Sequence, residues 1–236
     1  MIKQALEYIV GLKEPAISEI HGSTYSDKQL NRISYIPYAK TIEMHTLTSL
    51  VDYIKANIDT MSNKMIIHVV SPTSVKLYSQ LDNDRNREYL IEVNAQLPDF
   101  RFGDYIGHES FCIALQSKFI QNDDRDLVLK FAGTVEDGTV AEYGDDGITQ
   151  KATVKTGLAS KGDAIIPNPV KLRPYRTFLE VKQPESAFVF RMKSDRGVQC
   201  AIFEADGGAW KNAAMKNIKE YLQFELADMP QFTVIS

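Results

Sequence analysis

Residues Pro167 to Met192 read PNPVKLRPYRTFLEVKQPESAFVFRM, and this stretch decides how the rest of the chain must be organised. Pro167, Pro169, Pro174 and Pro184 fix φ, donate no backbone hydrogen bond and push each preceding residue out of the helical region. The path is therefore extended and turning, and the rest of the protein has to hold it in place. Its end, Ala187 to Lys193, sets Phe188 and Phe190 at the two-residue period of a strand. With Val198 to Glu204 it predicts a hairpin across Ser194-Asp195-Arg196-Gly197. Just upstream, DDGITQKATVKTG (Asp145 to Gly157) predicts a second hairpin. There, Val140 to Tyr143 and Ile148 to Lys155 flank Gly144-Asp145-Asp146-Gly147, whose residue types favour a tight turn.

Working outward, the periodicity changes to that of helices. Ala209 to Leu226 stacks Trp210, Ala214, Ile218, Tyr221 and Leu222, with Asp206-Gly207-Gly208 before it, and Gln231 to Ile235 suits a terminal strand. Near the other end, Ile2 to Leu12 places Ile2, Leu6, Ile9 and Val10 on one side. Thr46 or Thr48 caps a helix carrying Leu47, Leu50, Val51, Ile54 and Ile58 on one stripe. Lys64 to Val70, Ser74 to Leu81 and Glu88 to Ala95 predict a small antiparallel sheet. A third helix opens at Asp104 or Gly107 and lines up Phe111, Cys112, Leu115 and Phe119. Asp126 to Val135 fits helix and strand equally well. His21 to Tyr38 alternates, and Pro37 confines any strand there to an edge or an end. The expected fold class is α+β: antiparallel β-hairpins with three to five packed helices in a single compact unit, residues 1–236.

Composition narrows the function classes. The 236 residues are 44% hydrophobic and 25% charged, which is ordinary for a folded chain, and the formal net charge of -4 supplies no global field for nucleic acid or anionic membranes. No apolar run approaches the roughly 20 residues of a membrane helix. The first residues, MIKQALEYIVGLKEP, lack a signal-peptide cleavage pattern and read as an amphipathic helix. Cys112 and Cys200 are the only cysteines, expected to be reduced and buried. The expected compartment is cytoplasmic, without membrane partners.

The two strings DDGITQKATVKTG and PNPVKLRPYRTFLEVKQPESAFVFR, with FIQNDDRDLVLKFAGTV upstream, resemble an uncharacterised family of phage and prophage proteins, the YfdQ-like family, a domain of unknown function. The resemblance spans about residues 119–236, and residues 1 to about 100 are divergent. It implies a phage-derived protein made inside a bacterial cell, and it brings no active site with it.

Several chemistries deserve weighing. His21, His45, His68 and His108 show no metal-ligand spacing, and Glu43 with His45 would share a strand face but supply only two ligands, so no metal or cofactor is expected. His68 reads as a core histidine. Glu180-Val181-Lys182 has the ExK spacing of restriction-like, Mg²⁺-dependent nucleases, with Asp163 or Asp146 as the upstream acid. That alternative requires Glu180 and Lys182 on one strand face, and Pro184 ends any strand almost at once. Neither cysteine has a nearby histidine in sequence, and Asp206 opposes anion binding at Gly207-Gly208.

For nucleic acid, Lys171, Arg173, Arg176, Lys182, Arg191 and Lys193 interleave with Tyr175, Phe178, Phe188 and Phe190, as in grooves that hold single strands. The competing reading makes the phenylalanines core residues and pairs the arginines with Glu180 and Glu185. A third reading is self-assembly, with Lys161 to Tyr175 as a stiff arm laid on a neighbouring subunit in a homo-oligomer, against a strap folded onto its own sheet. The leading expectation is a non-enzymatic protein binding nucleic acid or a host protein through Arg173, Tyr175, Arg176 and Arg191.

Overall fold

A computed structural model describes residues 2–11, 15–29, 39–61, 63–82, 85–134, 140–145, 149–156, 159–194 and 197–236, with the backbone alone for 134, for those within 140–167 and for 194. The chain divides into two units, residues 1–38 and 39–236. The mixed α+β fold expected from the sequence lies in the second of these, 39–236, and no change in composition marks the boundary. The first unit holds helix α1 (Ile2–Gly11) and a hairpin of β1 (Ile17–Ile20) and β2 (Ser23–Ser26) that turns at His21-Gly22. None of its described residues is buried.

The second unit starts with β3 (Ile42–Met44), α2 (Leu47–Ala56), β4 (Met65–Ser71), β5 (Ser74–Ser79) and β6 (Tyr89–Asn94). Thr46 is the cap of α2: its side chain accepts from Ser49 N, and Asn57 closes the far end in the left-handed conformation. Ile58, expected on the apolar stripe, is 73% exposed because the helix has already ended before it. In β4, Met65, Ile67 and Val69 point inward, which leaves His68 half-buried on the other face rather than in the core.

Next come β7 (Ile106–Gly107), α3 (His108–Lys118), α4 (Asp123–Thr134), β8 (Val140–Asp145), β9 (Thr149–Thr156) and β10 (Ala159–Pro167). The ambiguous segment is thus helical as α4. Asn122 Oδ1 accepts from Arg125 N, and Asp123, Asp124 and Asp126 crowd the first turn, where the helix dipole favours them. β8 and β9 pair antiparallel as the predicted hairpin requires, and residues 146–148 lie outside the described residues, as does Val135.

The chain closes with β11 (Val170–Leu172), β12 (Ser186–Ser194), β13 (Val198–Glu204), α5 (Ala209–Glu225) and β14 (Phe232–Ile235). Within the second unit the strands form three sheets, ordered β10-β9-β8, β11-β12-β13-β7 and β14-β4-β5-β6-β3. The last is mixed rather than purely antiparallel, because β14 joins β4 and β3 joins β6 in parallel. Two cores result. In one, Leu47, Leu50 and Ile54 of α2 and Ile218 and Leu222 of α5 meet Ile67, Leu77 and Ile91 of the mixed sheet. In the other, Phe111, Leu115, Val128 and Phe131 of α3 and α4 meet Phe188, Phe190 and Cys200 of the β11–β13 sheet. Among the described residues no helix is long and apolar enough to cross a membrane.

Candidate nucleic-acid interface

The proline-rich stretch is where the two cores are joined. Val170, Leu172, Phe188 and Phe190 belong to one core, whereas Phe178 and Val181, in the bend between them, belong to the other. Each half of the bend is tied to different elements. Asn122 Nδ2 donates to Lys171 O at 2.8 Å, and Lys171 N donates to Asp124 Oδ2 at 2.6 Å. Ile120 N donates to Arg173 O and Tyr175 N to Lys118 O, so the segment around Pro174 runs antiparallel to the α3–α4 connection. From Val170 onward this is a strap folded onto its own chain. An arm laid on a neighbouring subunit, the reading considered for Lys161 to Tyr175, does not describe this part of it.

Gln183 organises the tightest part. It is buried, its Oε1 accepts from Arg176 N at 3.1 Å and Thr177 N at 3.2 Å, and its Nε2 donates to Phe178 O at 2.9 Å and to Thr177 O. Backbone groups that a turning, proline-bounded segment cannot satisfy through a sheet ladder are satisfied by this one amide. Around it, Thr177 Oγ1 donates to Pro72 O, and Asn217 Nδ2 donates to Lys182 O at 2.7 Å.

These ties settle where the expected binding arginines stand. Arg176 is 7% exposed; its guanidinium lies 3.9 Å from the Trp210 ring centroid, donates to Glu204 Oε1 at 2.6 Å and donates to the Ser186 hydroxyl. Burial pushes the guanidinium down to about 10, against the pull of Glu204 and Asp206, so it stays charged at neutral pH. Burial works to raise the Asp206 carboxyl too, but hydrogen bonds from Ser186 and Gly208 N–H and the Arg176 charge together hold it below the usual carboxylate range. Arg173 pairs with Glu185 at 2.9 Å, and Tyr175 is half-buried beside it in the strap. Arg173 and Arg176 are therefore parts of the strap's own bonding, and Phe178, Phe188 and Phe190 are fully buried core rings.

The ExK geometry is not formed. Leu179 to Val181 is a turn, with Val181 N donating to Phe178 O at 3.3 Å, so Glu180 and Lys182 share no strand face. Glu180 Oε1 instead accepts from Thr48 N at 3.2 Å, in the first turn of α2, where the exposed amides of the helix favour a carboxylate. Asp163 is on β10, in the β10-β9-β8 sheet, at the irregularity between Lys161 and Ala164. Asp146 lies outside the described residues. Among the described residues no three histidine, cysteine or carboxylate side chains gather as metal ligands; His45 is exposed, with its Nδ1 3.1 Å from Asn94 O. Cys200 is buried and Cys112 only half-buried; neither is in a disulfide, and burial pushes the Cys200 thiol up to about 12.

A second arrangement does face outward. Along β12, Phe188, Phe190 and Met192 point into the core, so Arg191 and Lys193 point away from it. Beside them runs Arg101 to Tyr105. Gly103, at φ +87, makes the turn and donates its N–H to Ile202 O at 2.8 Å, which lays Tyr105 against β13. The Tyr105 ring stands 6.0 Å from that of Phe203 in an edge-on contact, and Lys193 Nζ sits 4.4 Å from the Tyr105 centroid. An open cleft of about 760 Å³ follows, lined by Arg101, Tyr105, Lys118, Lys193, Ser110 and Gln199, with Asp99 and Asp104 also on its walls. Lys118 donates to Asp99 O, Arg191 donates to Phe190 O at 3.0 Å, and Arg101 and Lys193 are exposed. Cations beside an aromatic face on a half-exposed sheet can hold a phosphate and stack a base.

Arg191 is thus the one expected binding residue on this surface. Arg101, Tyr105 and Lys118 were missed, because they come from two segments whose local text reads only as a turn and a helix end. The chain matches no protein-family model, no curated protein and no solved structure.

Proposed function

We propose that this protein is a non-enzymatic, phage-derived binding protein that works inside the bacterial host cell in early phage–host interaction, and that it holds single-stranded nucleic acid in the Tyr105 cleft. The phage origin rests on the resemblance of residues 119–236 to the YfdQ-like family. The binding mode rests on one observation, the Lys193 ammonium placed over the Tyr105 ring, with Arg191 on the same strand face and Arg101 also lining the cleft. A chain of net charge -4 gains little from long-range steering, so binding of this kind is local, modest in affinity and without base preference.

Fluorescence anisotropy of a labelled oligothymidylate, titrated at several salt concentrations, tests it. Affinity should fall as salt rises, and Lys193→Ala and Arg101→Ala should each reduce the log–log slope by about 0.7, the single-strand value per phosphate contact. Tyr105→Ala should weaken binding by about tenfold, within the range for one stacked base, and leave the slope alone. No binding at low salt would remove the nucleic-acid reading and turn attention to a host protein as the partner.

A further inference from the structure

The first unit poses a separate physical problem. Helix α1 has ten residues, yet Ile2, Leu6 and Ile9 are 80%, 56% and 57% exposed, and Val10 is 61% exposed. A helix shorter than about 12–15 residues is marginal in water unless an amphipathic face is packed against something. Among the described residues of its own unit none is buried, and the β1–β2 hairpin exposes Ile17 and Ile20 as well. Units below about 40 residues ordinarily need a staple or an oligomer. The first has no cysteine for a disulfide, and an oligomer is one of the other means.

The charge pattern says what kind. Ile2, Leu6, Ile9 and Val10 form one face, and Lys3 and Glu7 lie one turn apart on a single flank of it. If two such helices pair in parallel and in register, that flank meets the opposite flank of the other helix, which carries Ala5 and Tyr8. Antiparallel pairing about a twofold axis near Ala5 and Leu6 instead sets the flank against itself. Ile2 then stands opposite Ile9 of the other copy, and Lys3 stands beside Glu7 of the other copy twice over. The face is self-complementary in one orientation only, as an isologous contact requires.

We propose that α1 is an assembly element, pairing antiparallel with the α1 of a second copy of this chain through Ile2, Leu6 and Ile9, with reciprocal Lys3–Glu7 pairs along one side. The proposal is independent of the nucleic-acid reading and differs from assembly through the proline-rich segment, whose bonds from Val170 on are internal.

Light scattering and sedimentation of the full chain across a concentration series provide the test. The expected mass approaches twice 26.6 kDa at high concentration, and Leu6→Glu returns it to 26.6 kDa. Lys3→Glu should weaken the dimer by about fivefold through two like-charge contacts, and Lys3→Glu with Glu7→Lys should restore it to within about twofold, since the exchange preserves the antiparallel pairs. A mass of 26.6 kDa at every concentration overturns the proposal. So does a dimer that survives Leu6→Glu, or a charge exchange that fails to restore it. If Leu6→Glu lowers the melting temperature at a dilution where the wild type is already monomeric, α1 is covered by its own chain and the proposal also falls.

Discussion

The bend from Arg173 to Ser186, which links β11 to β12, and the cleft at Tyr105, which flanks β12 and β13, share a vocabulary of arginine, lysine and aromatic residues, yet use it in opposite ways. In the bend, Arg176 is stacked on Trp210 and bonded to Glu204 and Ser186, and Gln183 ties five backbone groups. In the cleft, Arg101 and Lys193 are exposed and the nearest partner of the lysine is an aromatic face. The difference teaches that dense, unusual text can reflect the difficulty of folding a stretch rather than its contact with a ligand. Prolines forbid ladder bonds, so the bend needs side chains chosen to replace them. An outward cleft makes no such demand on its local sequence.

That contrast predicts that substitutions in the bend act on stability and substitutions in the cleft act on binding. The largest effect should come from Gln183→Ala, which strands buried N–H and C=O groups at several positions; chemical denaturation should show a loss of about 3 kcal/mol or more. Arg176→Ala should cost about 2–3 kcal/mol, mostly through lost packing on Trp210 and Phe188, because Glu204 is 40% exposed and regains water. Arg176→Lys should recover only part of this, lacking the planar stack. If both arginine variants melt like the wild type, the bend is not the strap described above.

A pH titration sharpens the same point. The Asp206 carboxyl has its folded value held low, so its contribution is present above the ordinary carboxylate range and is lost as pH falls through that lowered value. Asp206→Asn should therefore flatten the acid limb of stability against pH while leaving the alkaline limb in place. Glu180→Ala should cost less, about 0.5–1 kcal/mol, through loss of its bond to the first turn of α2. The Glu180→Ala chain should bind oligonucleotide as the wild type does. A DNA-cutting activity with Mg²⁺ that disappears in this variant would instead restore the nuclease reading. The smallest stability effects should be those of Lys193→Ala and Arg101→Ala, within about 0.5 kcal/mol.

Local text carried much of the fold. Thr46 followed by Leu47, Leu50, Val51 and Ile54 is a complete instruction for α2, and Phe188 and Phe190 with a turn before Val198 give the β12–β13 hairpin. Local text was silent where a pattern is degenerate or a pairing is remote. Glu180-Val181-Lys182 alternates as a strand would, but alternation says nothing of Gln183, the next residue, bonding the turn's carbonyls. The parallel pairing of β14 with β4 joins residues far apart in sequence, so its orientation is set by packing rather than by either segment. The cleft was illegible for the same reason: Tyr105 gains meaning only when Gly103 lays it against β13 beside Lys193.

The separation of strap from cleft is tested most directly by the salt dependence of oligothymidylate binding in Lys193→Ala and Arg173→Ala measured side by side. The slope of log affinity against log salt should shrink for Lys193→Ala and stay at the wild-type value for Arg173→Ala. A slope that shrinks for Arg173→Ala and is untouched by Lys193→Ala would place the ligand on the bend and contradict the account.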